Sequence, residues 1–377
     1  MITDINVQQT EQDLFSDIRP YHDDEVPAAI QRLISDRDFI HAILHYRFPH
    51  ASGPLGWLLS PVIKFWLKRK FSRINTVADV QLQVADFMDR MIETSTTEVT
   101  YSGAEYLKLD QPYLFISNHR DIAMDPALVN LCLHRRGMDT VRIAIGDNLL
   151  KKPCATELMR LNKSFIVKRS AKGPRELMKS LAQLSAYIRH SLDEKQSIWI
   201  AQREGRAKDG NDQTEPAILK MCYMEGKKRQ QTFAEYIRTL NIVPVCISYE
   251  NDPCDSDKVN ELWQKQRHGQ YQKGEFEDID SIVKGIVGFK GRVHVAFGQP
   301  LTGDYQDADE LAAAIDQSIW QLYRLYPVNY VAAGVDYPSL DAAAIVWWQQ
   351  KLQTVPEEAR PLMQQLYAAP VLKQKPE

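Results

Sequence analysis

Phe115-Ile116-Ser117-Asn118-His119-Arg120-Asp121-Ile122-Ala123-Met124-Asp125-Pro126 gathers residue types that can do chemistry. An apolar strand is expected to end at Asn118. That presents His119 at a strand's carboxyl end, where α/β proteins place their ligands. Imidazole, with a reference pKa near 6.5, suits removal of a hydroxyl proton at neutral pH, a step worth about 10²–10⁴-fold in rate. A carboxylate on the other ring nitrogen fixes the tautomer and stabilises the imidazolium that forms. Asp125 and Asp121 are both near enough in sequence to supply it. Asp125-Pro126 also reads as a helix start, with Asp as N-cap and Pro as the first helical residue. The plainer readings are a structural histidine, an N-cap and a solvated loop carboxylate.

The elements that must hold these residues fall into three regions. Residues 1–95 read as helical. Within Thr76 to Ile92, Val77, Val80, Val84, Phe87, Met88 and Met91 recur on one helical face, which predicts core packing. Residues 96–305 alternate short β-branched runs with helical segments. Strands are expected at Glu98–Tyr101, Tyr113–Ser117, Arg142–Ile145, Phe165–Val167, Ile198–Ala201, Ile242–Tyr249 and Val293–Phe297. Helices are expected at Pro126–Arg136, Pro174–Ser191 and Glu215–Met224. This alternation predicts an α/β fold with a mixed, largely parallel sheet flanked by helices. Residues 306–377 form a C-terminal helical extension, with helices at Ala308–Tyr326 and Asp341–Thr354 before a polar, Pro-containing end.

Composition narrows the class. The 377 residues carry 46 Lys and Arg against 49 Asp and Glu, a net charge of −3, so no global basic field argues for nucleic acid. Five scattered cysteines without a CxxC pair suggest free thiols in a reducing cytoplasm. The first 21 residues contain acidic side chains and no apolar core, unlike a secretory signal. A spanning helix needs roughly 20 apolar residues, whereas the best stretch, Ala51 to Ile63, is broken by Gly53, Pro54, Gly56 and Pro61. Around it, Trp57, Leu58, Leu59, Ile63, Phe65, Trp66 and Leu67 adjoin Lys64, Lys68, Arg69, Lys70 and Arg73. Residues 54–74 therefore suit a membrane-surface element on anionic lipid, the alternative being a core helix with a solvated basic end. His41 and His45 share an i, i+4 spacing, with His50 beyond, but no third ligand of known geometry accompanies them, so no metal site is expected. Gly-x-Ser-x-Gly, Walker-type and Gly-x-Gly-x-x-Gly signatures are absent.

Five motifs, taken in order, resemble the glycerolipid acyltransferase family, which includes glycerol-3-phosphate and lysophosphatidate acyltransferases. Asn118, His119 and Asp125 approximate its Asn-His-x(4)-Asp strand end. Phe165-Ile166-Val167-Lys168-Arg169 resembles its apolar-Phe-Ile-x-Arg strand, and Glu204-Gly205-Arg206-Ala207 its Glu-Gly-(Thr or Gly)-Arg-Ser turn. Ile242-Val243-Pro244-Val245 resembles its proline-containing strand. Val293 to Leu301 resembles the closing strand and Gly-x-Pro turn. Two departures stand out: five residues separate His119 from Asp125 instead of four, and the residue between Gly205 and Arg206 is missing, with Ala207 in place of Ser. The extra residue falls in a loop. Inside a helix it would turn Asp125 by about 100°.

The resemblance implies transfer of a fatty acyl group from acyl-CoA or acyl carrier protein, as co-substrate, to a hydroxyl of glycerol-3-phosphate or a lysophospholipid, with no further cofactor. His119 would be the general base and Asp125 its orienter, with Asp121 as the alternative carboxylate. Asn118, Arg169, Glu204, Gly205, Arg206 and Pro244 would bind substrate. The two arginines suit phosphate because guanidinium forks make paired, charge-assisted bonds to its oxygens. Lys168 should face away from Arg169 if the strand continues. Gly205 would let backbone amides approach a developing oxyanion. Pro244 donates no ladder bond, so an edge strand would explain it equally well. The expected place is the cytoplasmic face of a membrane, peripherally bound. The other readings are an acyltransferase for a non-phosphate lipid acceptor and an inactive lipid- or carrier-binding homologue.

Overall fold

A computed structural model describes residues 13–48, 54–274, 276–336 and 342–374. Seven strands form one sheet: β1 Glu98–Ser102, β2 Leu114–Ser117, β3 Arg142–Gly146, β4 Ser164–Val167, β5 Ile198–Ala201, β6 Ile242–Tyr249 and β7 Arg292–Phe297. Their order across the sheet is β1-β7-β6-β2-β5-β3-β4. β6, β2, β5, β3 and β4 are mutually parallel, β7 is antiparallel to β6, and β1 is parallel to β7. This is the mixed, largely parallel α/β sheet that the alternation of strands and helices predicts.

Alternation along each strand sorts the core into two layers. Leu114, Ile116, Ile198, Ile200, Ile242 and Cys246 pack with the helices Pro174–Asp193, Pro216–Cys222 and Ala308–Leu322. Phe115, Trp199, Val243, Val245 and Ile247 pack on the other face with the helix Met124–Arg135 and with Met88. Every residue of β2 and of β6 is buried, as both-face coverage requires. All five cysteines are buried and unpaired. No described helix is long and apolar enough to cross a membrane.

Several elements differ from expectation. β6 is not an edge strand: it lies between β2 and β7. Its ladder with β7 begins only at Val245, and Pro244 O accepts from Gly298 N at 2.8 Å. The N and O of one residue point to the same side of a strand, so the missing N–H of Pro244 faces the region beyond the end of β7, where no ladder bond is lost. In the helix Val77–Ser95, Met88 and Met91 are buried but Phe87 is 43% exposed. Two helices without a sequence expectation, Asp255–His268 and Glu277–Val287, fill the chain between β6 and β7. The Pro-containing end also folds, as the helix Arg360–Lys373, which buries Leu362, Met363, Leu366 and Tyr367. Its Pro361 occupies the first turn, where a missing N–H costs nothing.

The helix Pro54–Phe71 is buried on one side and exposed on the other. Ile63 and Leu67 enter a core cluster with the helix Val26–Ser35, while Val62, Phe65 and Trp66 face water. The side chains of Trp57, Leu58 and His45, and all of His50, lie outside the described residues. Among the described residues no group of three potential ligands could hold a metal ion.

His294, on β7, is buried between Thr100 Oγ1 (2.8 Å from Nδ1) and Ser102 Oγ (2.9 Å from Nε2). Burial, helped by the Arg324 cation, lowers its pKa to about 4. The unfolded chain, with a histidine pKa of about 6.5, takes up a proton that the folded chain refuses, so this contribution is full above that pH and is lost on acidification toward about 4. His294→Gln should therefore narrow the gap between urea midpoints measured at about pH 7.5 and about pH 5. An unchanged gap would show that other groups dominate.

Candidate functional site

The loop after β2 is built around one carboxylate. Asp125 is fully buried. Its Oδ2 lies 2.8 Å from His119 Nδ1 and accepts from Arg120 N at 2.6 Å and Asp121 N at 2.9 Å. Its Oδ1 accepts from Tyr249 Oη at 2.7 Å. Burial pushes the Tyr249 phenol well above its ordinary pKa, so the hydroxyl keeps the proton it donates. Four donors thus surround a carboxylate that has no contact with solvent. The extra residue in the loop is absorbed here, since the chain curls so that two backbone amides point at the same oxygen.

Asp121 does the job expected of Asp125 at the helix start. The helix begins at Met124, and Asp121 Oδ1 accepts from Ala123 N at 3.0 Å and Met124 N at 2.9 Å. Asp125 sits inside the first turn, free to face the imidazole. Asp121 Oδ2 is buried without a partner, and burial together with the nearby Asp125 raises its pKa. The bond to His119 comes from Asp125, not from Asp121.

With Nδ1 committed to Asp125, the His119 tautomer leaves Nε2 as an acceptor, and no described residue bonds to it. The side chain is 12% exposed, so it opens to solvent rather than ending in the apolar core. Trp199 lies edge-on to the ring at 5.6 Å and donates its indole N–H to Ser117 Oγ at 3.0 Å. An oriented imidazole with one free nitrogen is an arrangement that can accept a proton from a hydroxyl.

Asn118 is fully buried and extends the ladder by its side chain. Its Nδ2 donates to Ile247 O at 3.1 Å, and Ile247 N donates to its Oδ1 at 2.8 Å. Arg120 is buried beside it, donating to Asp212 Oδ2 at 2.7 Å, while burial raises Asp212 against the pull of that guanidinium. Lys258 donates to Arg120 O at 2.6 Å and pairs with Asp252. This polar underlayer was not legible in the sequence.

The Glu204–Ala207 loop is pinned to the histidine. Gln202 N donates to Ser117 O at 2.8 Å and Ala207 N donates to His119 O at 2.9 Å. Gly205 takes φ +71, a conformation open to glycine. Arg206 Nη2 donates to Ser281 Oγ at 3.2 Å, and its Nη1 is buried without a partner. Glu204 pairs with Arg169 at 3.2 Å, and the Arg169 guanidinium lies against Gly146 at the end of β3. Lys168 turns the other way, to Asp17. The loop thus joins Arg206, Glu204 and Arg169 to the His119 strand end, while Pro244 is buried inside β6 opposite Ile116. A cavity of about 910 Å³ lies at the opposite, amino-terminal end of the strands, and His119 is not in its lining.

Residues 98–248 match the family model described as Acyltransferase. No curated protein matches the chain. Among solved structures, the 1-acyl-sn-glycerophosphate (LPA) acyltransferase PlsC from Thermotoga maritima is similar at 13% sequence identity, with 78% of this chain and 94% of that chain covered and a TM-score of 0.39. Likeness at that score bears on neither site nor substrate.

Tyr249 contacts Asp125 and not the free His119 nitrogen, so any effect on proton transfer would pass through Asp125. Tyr249→Phe should lower kcat about tenfold without changing KM, whereas Asp125→Asn should cost about 10³–10⁴-fold by reversing the tautomer preference. A Tyr249→Phe enzyme with unaltered kcat would remove that role.

Proposed function

We propose, from the match of residues 98–248 to the Acyltransferase family model, that the chain moves a fatty acyl group from acyl-CoA or acyl carrier protein to a hydroxyl of glycerol-3-phosphate or a lysophospholipid. His119 Nε2 takes the hydroxyl proton as the oxygen attacks the thioester carbonyl, and Asp125 stabilises the imidazolium. Collapse of the tetrahedral intermediate expels the thiolate, which recovers the proton from His119. No acyl-enzyme is needed. Arg206 and Arg169 hold the acceptor's phosphate, and amides of the Glu204–Gly205 turn meet the oxyanion.

The observation carrying this reading is the 2.8 Å contact between His119 Nδ1 and Asp125 Oδ2, made with Nε2 left open. A bond of that length also speaks against a retired, non-catalytic protein. Arg206 Nη1, buried and unpartnered, supports an anionic group on the acceptor over a phosphate-free one. A thiol-release assay with acyl-CoA against a panel of phosphorylated and phosphate-free glycerolipid acceptors tests both points. Activity should require the phosphate, and His119→Ala should stay folded yet lose nearly all turnover. A folded His119→Ala enzyme with normal release would end the proposal.

The proposal includes peripheral binding at the cytoplasmic face of a membrane, where lipid acceptors would be met. Support comes from the helix Pro54–Phe71, whose exposed Val62, Phe65 and Trp66 adjoin Lys64, Lys68, Arg69 and Lys70, with Lys70 Nζ 5.2 Å from the Trp66 ring centroid. Replacing Lys68, Arg69 and Lys70 by Glu should abolish co-sedimentation with anionic liposomes. Undiminished co-sedimentation would exclude this helix as the anchor.

A further inference from the structure

The helix Glu277–Val287 has its polarity reversed for a helix on a globular core. Its buried residues are Ser281 and Gly285, one turn apart on one face. Both look toward the site: Ser281 Oγ accepts from Arg206, and a Cβ at Gly285 would lie 2.0 Å from Asp121 Oδ2. Only a residue without a side chain lets the helix lie this close to the loop. The apolar residues Ile279, Ile282, Val283, Ile286 and Val287 follow the i, i+3, i+4, i+7, i+8 spacing of a single stripe. Part of that stripe points the other way: Ile286 packs against the core cluster that holds Met88, and Ile279 and Ile282 are half-buried, while the rest faces water. Val283 is 50% and Val287 49% exposed, and Phe276 and Phe289, at either end, are 47% and 58% exposed. A surface helix ordinarily turns such a stripe inward, and contiguous apolar surface left to water marks a contact area.

Charge indicates what covers it. Lys152 Nζ sits 5.3 Å from the Phe276 ring centroid and 3.2 Å from Asp38 Oδ2, on the helix Arg37–Arg47. That helix packs on Pro54–Phe71, which carries four cations in its second half and no acidic residue. Glu277, Asp278 and Asp280 lie in the first turn of Glu277–Val287 itself, with Asp278 paired to Lys273, so the attraction to an anionic bilayer comes from the basic helix, which is joined to the stripe through Val77–Ser95.

We propose that the outward stripe of Glu277–Val287, with Phe276 and Phe289, seats on an anionic phospholipid bilayer and holds the His119–Asp125 loop at the membrane surface. This rests on the acyltransferase reading only for the claim that the substrates are lipids. A helix is about 10 Å across with its side chains, so a bilayer on its outer face reaches to within one helix diameter of Asp121 and Arg206. A fatty chain in the membrane and its head group at the arginines are then bridged by a single element.

The test uses the full chain, with Val283, Val287 and Phe289 replaced together by Ser, in flotation on phosphatidylglycerol–phosphatidylcholine vesicles. The variant should partition about tenfold more weakly than wild type and lose a similar factor in turnover on a vesicle-borne lysophospholipid. Thiol release with glycerol-3-phosphate and a short-chain acyl thioester, both water-soluble, should be unchanged. Since all five native cysteines are buried, Val287→Cys labelled with an environment-sensitive fluorophore gives a second readout, a blue shift on adding the same vesicles. Equal flotation of variant and wild type, or a label that reports no change, overturns the inference. So does a change in molecular mass between wild type and variant by light scattering, which would make the stripe a self-association face. Absence of thiol release from every acceptor, with flotation still weakened in the variant, would instead sink the functional reading and leave this one standing.

Discussion

The carboxylate of Asp125 has no contact with solvent and four donors around it, and the local architecture answers to that constraint. An ionised group in a dry place is tolerated only when its lone pairs are met. Two of the donors are backbone amides of Arg120 and Asp121, which sets the curl of the loop. A third comes from Tyr249 at the end of β6, which requires β6 to lie beside β2. The fourth is His119 itself. An imidazole placed by such a cage has little freedom to choose another tautomer, and the orientation of the base follows from the electrostatics of its neighbour.

The strand-to-loop junction is held from both sides. Asn118 lends its amide to β6 where its backbone leaves the sheet, and the loop after β5 bonds to the carbonyls of Ser117 and His119. Beneath them the Arg120–Asp212 and Lys258–Asp252 pairs replace water with matched charge. Such pairs contribute little net stability against an apolar alternative, but removing one partner strands the other, so they enforce a unique arrangement of three loops.

All seven strands were legible in the sequence because their residues are apolar or β-branched in short runs bounded by turn formers, and five motifs in order pointed to the chemistry. The pairing of His119 with a nearby carboxylate was legible too. The resemblance favoured Asp125 over Asp121 as that carboxylate; spacing alone left both open, since it cannot tell a curled loop from a regular one, and Asp121 took the capping bonds that free Asp125. Tyr249 was invisible because its role depends on strand order, which is a long-range property. Pro244 misled for the same reason, as its tolerance depends on where β7 stops. Arg360–Lys373 was hidden by its prolines, one of which falls in the first turn. Glu277–Val287 went unread, although its stripe has ordinary helical spacing.

Gly210, at φ +76, brings its loop so close to the helix Arg360–Lys373 that a Cβ there would meet Leu366 O at 2.5 Å, and Tyr367 of that helix accepts from Asp252 N and donates to Asp255. The helix thus props the rear of the loop that carries Arg206 and the turn after β6. Ribosomes deliver a chain from its amino end at about 5–20 residues per second. The strands and their histidine therefore emerge many seconds before this prop exists. A nascent chain holds the His119–Asp125 pair before the loop that carries Arg206 has its full support.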